Sequence, residues 1–292
     1  MGIIYVFQGA EDHRALPPGA YCQALHADRL SEALQAMTHY RIAVVTPYFK
    51  ESTDILRQCH ESVAGQSYAV DHFMVADGYP KHAVARWPVE HFVLPEAHAD
   101  NGNTPRAIAS LSAIARQYDA VTYLDADNWY RPEHIATLVK VRDETGAAIC
   151  ISGRSIHHLN GSVLFPKGER DDGRAHADTS CMMFWREAFK LIPLWNLMPP
   201  QWGPICDKIM WFAIGQSGLQ RSFTAKPTVC FRSQYQLHYE HAGVPVPKGA
   251  IKPPGMNDAI DYWNTLSDKE RRYYRERMNL DIDFKMTTPP KP

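Results

Sequence analysis

Two carboxylates lie one residue apart at Asp125 and Asp127, directly after the β-branched and aromatic run at residues 121–124. That run predicts a strand, and a helical pattern follows from Pro132. Open α/β sheets bind their ligands at the carboxyl ends of their strands. The pair therefore lies where a hard divalent cation, Mn²⁺ or Mg²⁺, could bind, with water and phosphate oxygens as its other ligands. The alternative is a surface turn, because Asp and Asn also cap helices.

The bulk composition excludes several classes of protein. The chain has 292 residues, of which 45% are hydrophobic and 22% are charged, as in an ordinary globular protein. A formal net charge of −1 gives no global field that would favour nucleic acid or an anionic membrane. We see no apolar run long enough for a membrane span and no signal peptide. The six cysteines form no Cys-x-x-Cys pair, which argues against a zinc site or a redox dithiol. We therefore expect a cytoplasmic protein.

The elements that must position the carboxylates are most regular between residues 41 and 152. Strand and helix patterns alternate there four times, with strands at 42–45, 72–76, 91–94, 121–124 and 148–152 and with helix starts at 52–54, 104–105 and 132. This alternation predicts an α/β fold with a mostly parallel sheet flanked by helices. No GxGxxG or Walker pattern follows a strand, so a dinucleotide or P-loop site is not expected.

The second half of the chain is less regular. It reads as a long loop at 157–178, a strand at 181–185, a short helix at 206–215, a strand at 228–232, a charged helix near 258–278 and a disordered Pro/Lys tail. Loops as long as 157–178 are usually functional or disordered. Residues 1–40 suggest a strand at 3–7 and a helix at 21–37, for which packing or self-association into a homo-oligomer is the expectation.

Several short motifs then follow one another in a specific order. They are Thr46-Pro47-Tyr48, Gln66-Ser67-Tyr68, Asp77, Asn101-Gly102 with Arg106, the Asp-x-Asp of Asp125 and Asp127, and Asp207 at the start of a short helix. Their order and spacing across 41–240 resemble those of a family 2 glycosyltransferase with the Rossmann-like GT-A fold. There are departures: after the second strand the chain has Ala76-Asp77-Gly78-Tyr79-Pro80 where the family usually has Asp-Asp-Gly-Ser, and Cys206 replaces the first acid of a Glu-Asp pair.

The resemblance implies a nucleotide-binding role for the motifs of the first half. Thr46, Pro47, Tyr48 and Asn101 would surround the nucleotide, and Asp77 would accept the N3–H of uracil. Arg106 would contact the base or a phosphate, although a solvated helix Arg is the alternative. Plain turns are the alternatives at Tyr48 and Asp77.

The resemblance also implies the metal and catalytic groups. Asp125 would face the ribose and a metal-bound water, and Asp127 would ligate Mn²⁺ or Mg²⁺. A strand-borne His238 would be a third ligand, with the nearby His241 as the alternative. Asp207 would be the general base that takes the proton of the acceptor hydroxyl, as an inverting transfer requires. Its alternative is a helix-start Asp stabilised by the macrodipole.

Two further residues are candidates for the sugar or acceptor pocket. They are Asp178, which precedes a strand, and Trp202, whose ring could stack on a sugar face. A core Trp is an equally good interpretation of Trp202.

Together these implications predict a metal-dependent, inverting glycosyltransferase that moves a sugar from a nucleotide-sugar, most readily a UDP-sugar, to a hydroxyl acceptor. The chain would divide into an N-terminal extension (1–40), a nucleotide-sugar-binding half (41–152), an acceptor and catalytic half (153–243) and a C-terminal helical extension (244–292). The rivals are a sugar-nucleotide-binding domain without catalysis, a sugar-nucleotide pyrophosphorylase and a phosphatase. The last two would need a Gly-rich basic loop or the Asp-x-Asp, respectively, after the first strand.

Overall fold

The computed structural model describes residues 39–167, 176–252 and 256–282. The described residues from Arg41 onward belong to one compact unit. The predicted strand and helix in residues 1–37 and the predicted tail lie outside the described residues. Within the described ranges, no helix has the length and apolar character needed to cross a membrane.

A nine-stranded sheet forms the centre of the described part. Its strands are β1 (Ile42–Tyr48), β2 (Asp71–Asp77), β3 (Glu90–Leu94), β4 (Ala120–Tyr123), β5 (Trp129–Tyr130), β6 (Ile149–His157), β7 (Val163–Phe165), β8 (Met182–Trp185) and β9 (Arg221–Arg232). Their order is β3-β2-β1-β4-β8-β6-β9-β5, and β7 pairs with β6. Strands β1 to β4 are parallel to one another, and β9 is parallel to β6. Because β8 is antiparallel to both β4 and β6, these six strands all run in one direction. Only β5, β7 and β8 oppose them, so the predicted mostly parallel sheet is confirmed.

Helices flank this sheet, as predicted. They are α1 (Thr53–Ala64), α2 (Asn103–Ala115), α3 (His134–Thr145), α4 (Leu194–Leu197), α5 (Cys206–Gln216), α6 (Gln236–His241), α7 (Met256–Thr265) and α8 (Asp268–Met278). Strand β1 lies in the middle of the sheet and is buried along its whole length. This explains its continuous apolar run, which is typical of parallel strands covered on both faces.

Three predicted features differ in the structure. Helix α2 starts from Gly102 rather than from Thr104. The single helix near 258–278 is two helices, because Ser267 starts α8 with a capping box that includes Glu270. The predicted loop at 157–178 begins with a hairpin, since β6 extends to His157 and pairs with β7.

Candidate active site

The carboxyl ends of β1, β2 and β4 open into a cleft with a volume of about 610 Å³. Most of the predicted site residues line it, and the structure thus brings together residues that are distant in the sequence: Pro47, Tyr48, Asp77, Asn101, Arg106, Asp125, Asp127, Asp178, Asp207 and His238. The position agrees with the general rule that open α/β sheets bind ligands at this edge.

Two predicted residues do not line the cleft. Thr46 is fully buried, and its hydroxyl lies 2.9 Å from Nε2 of His72. Trp202 is also fully buried, with its ring centroid 5.2 Å from that of Tyr274 and 5.7 Å from that of Trp263. Both side chains therefore belong to the protein interior, and Trp202 cannot offer its face to a sugar from this position.

Asp77 lies at the end of β2 and is only 3% exposed. Its Oδ1 accepts hydrogen bonds from the backbone and ring nitrogens of His98, each at 2.9 Å. Its Oδ2 accepts one from the backbone N–H of Ala99 at 3.0 Å. These bonds fix the carboxylate, and Oδ2 keeps the capacity to accept one more hydrogen bond.

Arg106 is buried rather than solvated. It is 4% exposed, and its Nη2 lies 2.5 Å from Oδ1 of Asp125. Its Nη1 donates to the backbone carbonyl of Asn101 at 2.8 Å. Burial raises the pKa of Asp125, although the positive charge of Arg106 opposes this shift. The guanidinium thus ties the loop before α2 to the Asp-x-Asp.

Asp127 lies among other carboxylates on the wall of the cleft. Burial, together with the negative charges of Asp125 and Glu51, raises its pKa to about 7. A divalent cation would relieve this concentration of negative charge, and carboxylate oxygens are the ligands that Mn²⁺ and Mg²⁺ prefer. The residues present therefore fit a hard cation that takes its remaining ligands from substrate and water.

His238 does not complete a three-residue metal site with the two aspartates. It lies on α6, so the predicted strand-borne histidine is wrong, and its Nδ1 is 2.7 Å from Oγ of Ser233. Across the described ranges, no group of three or more His, Cys, Asp or Glu side chains converges as a metal site. The ring lines the cleft without forming a preassembled ligand set.

Asp207 lies in the first turn of α5, and both of its carboxylate oxygens are engaged. Oδ1 accepts the backbone N–H of Lys208 at 2.8 Å, and Oδ2 is 2.8 Å from Nε2 of His176. Burial would raise the pKa of Asp207, but the hydrogen bond and charge of His176 outweigh it, so the pKa lies below its ordinary value. The side chain is a carboxylate, which is the form that a general base requires.

Several cleft residues escape prediction from the sequence. Arg154 pairs with Asp178, its Nη1 2.5 Å from Oδ2, and Asp178 also caps a short turn through Ser180. A charged residue within the apolar strand β6 was a signal for Arg154. His176 carries no signal that distinguishes it from the other 13 of the chain's 14 histidines.

Comparisons with known proteins give a fold but no family. No protein-family model and no curated protein matches the sequence. Solved structures that match include that of S. aureus TarS 1–349, alone and in complex with UDP, with TM-scores of 0.50 and 0.51. In both cases the identity is 12%, and the match covers 82% of this chain and 70% of that chain. A longer TarS structure matches with a TM-score of 0.50 over 43% of its length. At this identity the likeness shows a shared fold.

Proposed function

We propose that this protein transfers a sugar from a UDP-sugar to a hydroxyl acceptor, with inversion at the anomeric carbon. The observation that carries the proposal is the convergence of Asp77, the Asp125–Asp127 pair and Asp207 on one cleft at the carboxyl edge of the sheet. Each has the chemistry that one part of the reaction needs: a hydrogen-bond acceptor for a base, carboxylates for a cation, and a carboxylate to take a proton.

The choice of uridine rests on Asp77 and on one comparison. The N3–H of uracil is a donor, and Oδ2 of Asp77 can accept one more hydrogen bond. A structure that shares this fold, S. aureus TarS 1–349, contains UDP. Both observations favour a UDP-sugar among the nucleotide-sugars.

Asp127 would hold Mn²⁺ or Mg²⁺, with Asp125 oriented beside it by Arg106. When bound, such a cation neutralises charge on the donor diphosphate as a Lewis acid. His238 lines the same cleft, with its Nδ1 2.7 Å from Oγ of Ser233, and would contact the donor or the cation from there.

Asp207 would accept the proton of the acceptor hydroxyl as the oxygen attacks the anomeric carbon. The hydrogen bonds that it accepts from His176 and from the backbone N–H of Lys208 favour the charged carboxylate. A single displacement of this kind inverts the configuration and needs no covalent intermediate, which suits one carboxylate.

Nucleotide binding tests the donor site. We would titrate UDP, GDP and CDP calorimetrically, each with and without Mn²⁺, into the full chain and into Asp127→Ala. We expect Mn²⁺-dependent binding of UDP that weakens at least tenfold in the variant, because one ligand of a divalent cation is lost. Tight binding of GDP or CDP instead would mean that the donor is a GDP-sugar or a CDP-sugar. No binding of any nucleotide would refute the proposal.

Turnover tests the catalytic assignment. We expect Asp207→Asn to bind UDP as the wild type does but to release UDP from UDP-sugars about 10²- to 10⁴-fold more slowly, the usual contribution of a general base. A wild-type protein that binds UDP but turns over no UDP-sugar would instead be a binding domain without catalysis.

A further inference from the structure

His176 has no role in the proposed reaction so far, yet it contacts the candidate base directly. Its Nε2 lies 2.8 Å from Oδ2 of Asp207, and both side chains line the cleft. The two side chains are 22% and 26% exposed, so solvent competes only weakly for this hydrogen bond. The other oxygen of Asp207 is held by a backbone N–H of its own helix.

Resting on the proposed function, we propose that His176 is a positioning residue whose neutral imidazole holds Asp207 in the orientation of a general base. The imidazole donates its Nε2–H to Oδ2, and Asp207 stays a carboxylate. As the acceptor oxygen bonds to the anomeric carbon, its O–H bond breaks and the proton passes to Asp207. The bond from the anomeric carbon to the diphosphate oxygen breaks in the same step, and its electron pair leaves with UDP.

Protonation of His176 would oppose this role. An imidazolium would pair with Asp207 as a cation and make the carboxylate a weaker base. Burial lowers the pKa of His176, but the hydrogen bond and negative charge of Asp207 outweigh it, so the pKa lies above its ordinary value of 6.5. Activity should therefore be lost as the pH falls through the pKa of His176.

Among the described residues, the other charged groups that act on His176 are Asp178 and Arg154. These two pair with each other, with 2.5 Å between Nη1 of Arg154 and Oδ2 of Asp178. Their opposite charges act on the imidazole in opposite directions. Asp207 is consequently the partner that controls the protonation of His176.

The test compares His176→Gln, which keeps an N–H donor but cannot titrate, with His176→Ala, which removes the donor. UDP release would be followed from pH 5 to 9 with water as acceptor and UDP-glucose, UDP-galactose, UDP-GlcNAc and UDP-GalNAc as donors. His82→Gln is the matched control, because His82 is exposed and does not line the cleft.

We expect His176→Gln to keep its rate at pH 8 within about fivefold and to shift the acid limb of kcat to lower pH. His176→Ala should lower kcat about 10- to 100-fold with little change in KM for the donor, because a misoriented base slows only the chemical step. The His82 variant should keep the wild-type profile. UDP affinity, measured by calorimetry, confirms that each variant is folded.

A measurement that needs no substrate completes the test. The ring protons of His176 are followed by NMR across the same pH range in the wild type and in Asp207→Asn, where the pKa of His176 should fall. An unchanged titration in Asp207→Asn, or an unchanged acid limb in His176→Gln, would overturn the role of His176 alone. No release of UDP from any of the four donors would remove the proposed function and this inference together.

Discussion

Arg106 connects the Asp-x-Asp on one side of the cleft with the loop before α2 on the other. Its guanidinium contacts Asp125 through Nη2 and the carbonyl of Asn101 through Nη1, and it is almost fully buried. A lysine has one ammonium group and cannot match this forked geometry. We expect Arg106→Lys to lower the free energy of unfolding by about 1–3 kcal/mol, since a buried ammonium cannot keep the hydrogen bonds to both Asp125 and the carbonyl of Asn101. UDP affinity should fall with it.

Chemical denaturation and UDP titration measure both effects. Arg186→Lys is the matched control, because Arg186 pairs with Asp119 while its side chain is 54% exposed. Exposed pairs contribute about 1 kcal/mol at most. Equal losses of unfolding free energy in the two variants would show that the burial of Arg106 adds nothing to the stability that its pair contributes.

At the scale of elements, the close approach of β1 to the start of α2 shapes the nucleotide side of the cleft. Gly102 starts α2 with a φ of +80°, and a Cβ at this position would lie 2.8 Å from Cγ of Pro47. Gly218 after α5 has a similar φ of +69°, but a Cβ there would meet no atom within 4 Å. The two glycines therefore share the same backbone requirement and differ in packing.

Alanine substitutions at these two glycines distinguish the cost of the backbone conformation from the cost of the contact with Pro47. We expect Gly218→Ala to lower the free energy of unfolding by about 1 kcal/mol through the backbone conformation alone. Gly102→Ala should cost about 1–3 kcal/mol more and weaken UDP binding, because Pro47 must move. Thermal unfolding and calorimetry measure the difference, and identical losses in the two variants would contradict the contact.

The same elements show why helix starts and strand ends are hard to predict. Thr104-Pro105 has the sequence of a helix start, yet α2 begins from Gly102, which packs closely against Pro47 of β1. His238 follows a strand in the sequence, but the chain turns at Ser233 and continues as α6. Both features depend on contacts between residues that the local sequence pattern does not reveal.

For the whole molecule, the first half can be predicted from the sequence, because β1 to β4 each contain a short apolar run and the intervening helices carry apolar stripes. The second half cannot, since β6 and β9 pair with register shifts around Gly153 and Arg154 that interrupt any alternation. The sequence therefore predicts most of the acidic residues of the cleft, whereas Arg154 and His176 emerge only when distant segments meet.

Two histidines buried within the fold should make its stability depend on pH. Burial lowers the pKa of His72 and of His134 from 6.5 to about 3. The unfolded chain therefore binds more protons than the folded chain between about pH 3 and 6.5. Stability rises with pH across this window and is lost as the pH falls, by about 1.4 kcal/mol per pH unit for each histidine.

His134 offers the sharper test because it lies on α3, where its Nδ1 is 2.8 Å from Oγ1 of Thr228, and it does not line the cleft. At pH 7.5, His134→Gln should be less stable than the wild type because it disturbs this packing. Below pH 6.5 the difference should narrow by about 1.4 kcal/mol per pH unit, since the variant has no imidazole to protonate on unfolding. Urea denaturation from pH 5 to 7.5 measures the free energy of unfolding of each protein. The exposed His82→Gln should run parallel to the wild type, and a parallel curve for His134→Gln would show that His134 is not held neutral in the folded protein.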